Sequence, residues 1–176
     1  PAYIPERRIR EYFLPPFTEA VHAGVQTAMI NSGEINGIPV HSSEFLLQDV
    51  LKNEMNFEGF AVSDWMDIRY LHTRHQIAAT QKEAVRMAVN AGVDMSMVPD
   101  NYSFYNHLVE LVQEGKVKES RINDAVRRIL KVKMQVGLFD KPVTHYSSYP
   151  KFASDEFSEF NLQAANEAIT LLKNKG

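Results

Sequence analysis

Apolar positions fall into two alternating rhythms along the chain. Residues 7–23 carry apolar side chains at helical spacing, interrupted by Pro15-Pro16, a pair that can begin a helix but cannot continue one. After Gly24 comes Val25-Gln26-Thr27-Ala28-Met29-Ile30, an apolar run of strand length. Residues 31–43 contain Gly33, Asn36-Gly37 and Pro39 and read as a loop. Ser43 is a candidate N-cap for a helix that gathers Leu46, Leu47, Val50, Leu51 and Met55 on one face. A second strand, Gly59-Phe60-Ala61-Val62-Ser63, ends at Asp64-Trp65.

The alternation then repeats. Residues 79–91 have helical spacing through Ala84, Val85, Met87, Ala88 and Ala91, and Gly92 ends that helix. Val93-Asp94-Met95-Ser96-Met97-Val98 is expected to form a third strand closed by Pro99. Helices follow at about 102–114 and 120–136. The second is begun by Ser120, turns Ile122, Ala125, Val126, Ile129 and Val132 inward, and stops at Gly137. Residues 138–156, rich in Pro, Tyr and Ser, read as a linker, and a last helix runs from about 156 to 169.

Short apolar strands alternating with helices describe βαβ units and a parallel sheet buried on both faces. Three strands do not close a barrel, and a (β/α)8 barrel takes about 250 residues. The predicted class is therefore α/β: the C-terminal part of a (β/α)8 TIM-type barrel over residues 1–137, a linker over 138–156, and the start of a second α/β domain over 157–176. A barrel cut this way leaves bare strand edges, which invite self-association. Both ends are expected to continue in a longer parent: the chain opens Pro1-Ala2-Tyr3 and breaks off just after an apolar run.

Composition narrows the function classes. The chain is 44% apolar and 23% charged, near the averages of globular domains. A net charge of -3, with both signs mixed, argues against a nucleic-acid-binding surface. With no Cys there is no disulfide or thiolate chemistry, and no apolar window is long enough to span a membrane. His72 and His75, with Arg74 between them and Asp67 nearby, lack a third ligand at helical spacing. They are read as a loop flanking a pocket, and neither metal nor cofactor is expected. Met95 and Met97 alternate on a strand and are read as core packing.

In a (β/α) barrel the chemistry sits at the C-terminal ends of the strands. Three segments lie there: Asn31-Ser32-Gly33-Glu34, Ser63-Asp64-Trp65 and Val98-Pro99-Asp100. Asp64 would project into the barrel mouth beside Trp65, whose flat apolar face suits a sugar ring. Position alone leaves Asp64 open between helix cap and catalyst, Trp65 between core and platform, and Glu34 between solvated loop residue and site residue. Glycosidases need two carboxyl groups about the scissile bond, roughly 5–5.5 Å apart for retention and 6.5–9.5 Å for inversion.

The run Phe57-Glu58-Gly59-Phe60-Ala61-Val62-Ser63-Asp64-Trp65 resembles the nucleophile signature of family 3 glycoside hydrolases. So, in order, do the segments from Ile4-Pro5-Glu6-Arg7 to Leu14-Pro15-Pro16-Phe17, from Met29 to Gly37 followed by His41, Ala91-Gly92-Val93-Asp94-Met95, and Arg121 to Phe139. Ala164-Ala165 to Leu171-Leu172-Lys173-Asn174 resembles the lead into a second domain. The resemblance implies that Asp64 is the nucleophile of a retaining β-glycosidase acting on terminal β-D-glucosyl residues. It places Trp65 as an aromatic wall and Met29 at the sugar subsite. Many members have a Tyr three residues after that Met; here it is Ser32, and Glu34 is read as a partial compensation.

The partner so implied is a β-glucoside or oligosaccharide. The acid/base carboxylate and the earlier sugar-binding strands lie outside the chain, so the isolated piece is expected to be inactive. Other readings are a β-xylosidase or β-N-acetylglucosaminidase of the same family, or a non-catalytic sugar-binding or assembly module. Bacterial enzymes of this type are often exported, so the expected location is the periplasm or outside the cell.

Overall fold

The computed structural model describes residues 1–98, 100–141, 143 and 145–175. The chain divides into two compact units, Pro1–Val136 and Gly137–Gly176. The first opens with α1 (Glu6–Arg8), a π-helical turn (Ile9–Phe13) and α2 (Leu14–His22). Pro15 and Pro16 lack amide hydrogens, so the carbonyls one turn earlier lose their usual partners. The chain widens there, and the Leu14 N–H reaches back five residues to Ile9 O before α2 continues.

Strand β1 (Thr27–Met29) pairs in parallel with β4 (Phe60–Val62), with Ala28 opposite Ala61. Between them lie a hairpin of β2 (Glu34–Ile35) and β3 (Ile38–Pro39), a 3-10 turn (Val40–Ser42) and a π-helical segment (Phe45–Glu54). The hairpin corrects the reading of 31–43 as plain loop. Asn36 and Gly37 both have positive φ (53° and 79°), which is what the tightest two-residue hairpin turns require. Ser43 meets its expectation: its hydroxyl accepts the Leu46 N–H at 3.2 Å.

The expected third strand is reduced to a single parallel bridge, Val62 to Met95, and Pro99 lies outside the described residues. Backbone bonds persist there, from the Met95 N–H to Ala61 O at 3.1 Å and from the Ser63 N–H to Met95 O at 2.9 Å, and side chains reinforce them. The Asp94 carboxylate accepts the Ala61 N–H at 2.9 Å, and the Ser63 hydroxyl accepts the Met97 N–H at 2.8 Å. Helices α3 (Asp67–Thr73), α4 (Gln81–Ala91), α5 (Ser103–Gln113) and α6 (Glu119–Gln135) pack around this sheet. Thr80 caps α4 by accepting the Glu83 N–H at 3.1 Å. On α4 the small Ala84 and Ala88 are fully buried beside Leu71 of α3. On α6 Ala125 and Val132 are buried as expected, but Val126 is 47% exposed, one step off the inward stripe.

Two polar clusters fix the sheet from below. Lys52 Nζ lies 2.8 Å from Asp94 Oδ1, and Arg121 also binds that oxygen; neither the Lys52 nor the Asp94 side chain is more than 2% exposed. Arg128 donates to the carbonyls of Phe57 and Gly59, both at 2.9 Å, and so ties α6 to the start of β4. The second unit contains a 3-10 turn (Tyr146–Ser148) and α7 (Asp155–Ala168), capped by Ser154. Among the described residues no helix is long and apolar enough to cross a membrane.

Candidate active site

Asp64 stands two residues beyond β4, at the C-terminal edge of the parallel pair, and three neighbours hold it. Its Oδ1 accepts the Trp65 N–H at 2.6 Å, its Oδ2 accepts the Ser32 hydroxyl at 3.0 Å, and its own N–H donates to His41 Nε2 at 3.3 Å. The Trp65 amide, and after it the Ser32 hydroxyl, favour the ionised carboxylate and hold its pKa below the usual 3.8. The carboxylate serves no helix: α3 starts at Asp67 behind Met66, whose side chain makes no cap hydrogen bond.

Local geometry explains how each group arrives. The Asn31 side chain accepts the Gly33 N–H at 2.5 Å, folding the chain tightly after β1. A Cβ on Gly33 would stand 2.7 Å from that Asn31 oxygen, so a larger residue there would displace the Asn31 amide that shapes the turn offering Ser32 to Asp64. Beyond Trp65 the chain reverses at Met66, which adopts a left-handed conformation with φ 62°, rare for a side chain of this kind. Trp65 is left 56% exposed and Met29 58% exposed. Both are surface apolar groups at the strand ends, and Trp65 is not core.

Met29, Ser32 and Asp64 line a cleft of about 710 Å³, otherwise bounded mainly by apolar side chains such as Phe13, Phe17, Ile30 and Val50. Glu34 does not reach Asp64. Its Oε1 lies 2.6 Å from His75 Nδ1, joining the β2–β3 hairpin to the segment after α3. Thus Ser32, His41 and Trp65 gather at Asp64, whereas Glu34 is committed to His75. His72 bonds the carbonyl of Ala78 at 2.9 Å, and Asp100 pairs with Arg69 at 3.7 Å.

Sequence reading treated His41 only as part of a motif and Asp67 only as a neighbour of the histidines. In the fold both are buried, and His41 Nδ1 lies 3.8 Å from Asp67 Oδ2. Burial, opposed by Asp67 and Asp64, keeps the imidazole below its ordinary pKa and hence neutral. No periodicity marks either residue, because their meeting depends on the hairpin and α3 coming together.

Residues 1–132 match the glycosyl hydrolase family 3 N terminal domain. The chain is 47% identical over 177 residues to the lysosomal beta glucosidase of Dictyostelium discoideum, covering 99% of this chain and 22% of that protein. It is 39% identical to a beta-xylosidase of Formosa agariphila, over 96% of this chain and 24% of that one. A crystal structure of beta-glucosidase from Listeria innocua in complex with glucose superposes with a TM-score of 0.82 at 30% identity, over 99% of this chain and 24% of the other. The chain therefore spans under a quarter of the length of these relatives. It belongs to glycosyl hydrolase family 3, and its first unit is part of that family's α/β barrel domain.

Proposed function

We propose that this chain carries the nucleophile of a retaining β-glycosidase that releases terminal β-D-glucosyl residues, with Asp64 in that role. The observation that carries the reading is the Asp64 carboxylate itself. It is held ionised by the Trp65 amide and the Ser32 hydroxyl, at a strand end beside exposed Trp65 and Met29. Asp64 attacks the anomeric carbon as the bond to the leaving oxygen breaks, and a general acid supplied by another part of the enzyme protonates that oxygen. Water then adds to the anomeric carbon of the glycosyl ester, losing its proton to the same group now acting as base. The sugar departs with its configuration retained and the carboxylate is regenerated.

Trp65 offers a ring face to the sugar, and Met29 and Ser32 line the approach to Asp64. Glucose as the sugar is supported by the names of the Dictyostelium and Listeria relatives. A β-xyloside is the second reading, favoured by the beta-xylosidase relative. The residues 1–176 alone would be inactive, since the acid/base and the remaining sugar contacts must come from elsewhere. The unpaired edge of β1 is where a further strand, or a second copy of the chain, would join.

The test compares the complete enzyme with its Asp64→Asn variant on aryl β-glucosides and β-xylosides, and traps the enzyme with a 2-deoxy-2-fluoro glycoside. The expected result is loss of turnover in the variant and a sugar-modified peptide containing Asp64. Label on another carboxylate, or full turnover by the variant, would sink the proposal. A higher kcat/KM on xylosides would replace glucose by xylose.

A further inference from the structure

Behind Asp64 lies a second pair of groups that the proposed chemistry does not use. His41 follows the β2–β3 hairpin and is only 2% exposed. Its Nε2 accepts the Asp64 N–H at 3.3 Å, so the ring proton must reside on Nδ1. That nitrogen faces Asp67 Oδ2 at 3.8 Å, and this oxygen is buried without a hydrogen-bond partner. An orphaned buried carboxylate oxygen is costly unless a donor or positive charge lies close by. Here His41 Nδ1 lies close at 3.8 Å, too far for a hydrogen bond, so the carboxylate favours a proton on that nitrogen through space. Asp67 thereby selects the tautomer that leaves Nε2 free to accept.

The same short stretch of chain thus grips Asp64 twice, through Ser32 before the hairpin and His41 after it. The hairpin is itself anchored. Glu34 holds His75 at 2.6 Å, and Asn36 exchanges hydrogen bonds with the backbone of Ile4, both at 2.8 Å.

We infer that His41, oriented by Asp67, is a positioning residue: its Nε2 fixes the Asp64 peptide so that the carboxylate stays aimed at the anomeric carbon. The inference rests on the reading of Asp64 as nucleophile. A side chain that loses its backbone anchor drifts, and a misplacement of about 1 Å at a reacting atom costs roughly 10²-fold in rate. Substrate binding, which does not run through this bond, is left largely intact.

The two amide side chains separate the two ring nitrogens. In His41→Gln the Oε1 occupies roughly the place of Nε2 and can accept the Asp64 N–H. In His41→Asn the amide is too short for that and serves only the Asp67 side. In the complete enzyme, kcat and KM on an aryl β-glucoside, the rate of covalent trapping and the melting temperature are measured for both, beside Asp64→Asn. The inference expects His41→Asn to lose about 10²-fold in kcat and in trapping rate with little change in KM, and His41→Gln to recover most of that loss. Equal activity of the two variants, or a better Asn variant at similar melting temperature, overturns it. If His41→Asn fails to fold, His41→Leu, which fills the space without an acceptor for the Asp64 N–H, replaces it; if His41→Gln fails to fold, a His41→Asn variant with parental kcat and trapping rate still overturns the inference. Turnover surviving in Asp64→Asn would instead defeat the nucleophile reading, independently of His41.

Discussion

Ser32 Oγ donates a 3.0 Å hydrogen bond to Oδ2 of Asp64, across the gap between the loops that follow β1 and β4. These residues are 32 positions apart in sequence, and the Ala28–Ala61 register of the parallel pair brings them level. The hydroxyl stabilises the charged carboxylate, second only to the Trp65 amide. Removing it has a consequence with a definite sign.

Asp64 has a depressed pKa in the folded protein, so its carboxylate persists as pH falls through the usual value of 3.8 and is protonated only below it. Ser32→Ala removes one of the two favourable hydrogen bonds and leaves the Trp65 N–H in place. The acid limb of kcat/KM is expected to move to higher pH, toward the ordinary carboxylate value, with the alkaline limb unmoved. An acid limb that stays put would show that Ser32 does not set the charge state of Asp64.

Glu34, expected from the sequence to compensate in part for the tyrosine that Ser32 replaces, has its carboxylate on His75. Glu34→Gln keeps an oxygen that can accept from His75 Nδ1–H, so turnover is expected to match the parent. Glu34→Ala frees the hairpin, and kcat is expected to fall along with that of the His41→Asn variant. Steady-state kinetics on the three enzymes checks both statements.

Asp94 is the shared anion of a buried cluster with Lys52 and Arg121, and it also takes the Ala61 N–H at 2.9 Å. Burial pulls the Lys52 ammonium below its ordinary pKa while Asp94 opposes that shift. Asp94→Asn takes the carboxylate from the buried Lys52 ammonium, while Arg121 keeps Asp124 at 2.6 Å, and is expected to cost about 3–5 kcal/mol in stability. Lys52→Met in the same background should return part of it, since removing both buried charges costs less than removing one. Urea unfolding of the single and double variants measures the difference.

Gly59 is held against β1 so tightly that a Cβ would stand 2.0 Å from the carbonyl oxygen of Gln26. Gly59→Ala must push the strands apart or rotate the peptide, at a cost of about 1–3 kcal/mol. Since β4 carries Asp64 and β1 carries the loop with Ser32, the same change is expected to lower kcat. A variant with unchanged melting temperature and kcat would show that the strands yield without loss.

The sequence alone determined what depends on neighbours along the chain. The helix over 79–91 with its stop at Gly92, the capping by Ser43, the strand before Asp64 and the family signature around it were all legible, because period, caps and motif are local properties. Asn36-Gly37 reads in the sequence only as part of a loop, because the Gly- and Pro-containing stretch around it hides the two-residue strands. Only the tertiary structure decided which side chains meet. Glu34 binds His75 across 41 positions, His41 accepts from Asp64 across 23, and the Asp94 and Ser63 side chains reinforce the backbone bonds of the segment after Gly92. Such pairings are set by the parallel register and by the angle at which the hairpin meets α3. Those quantities arise from packing the whole core at once, and no window of sequence carries them.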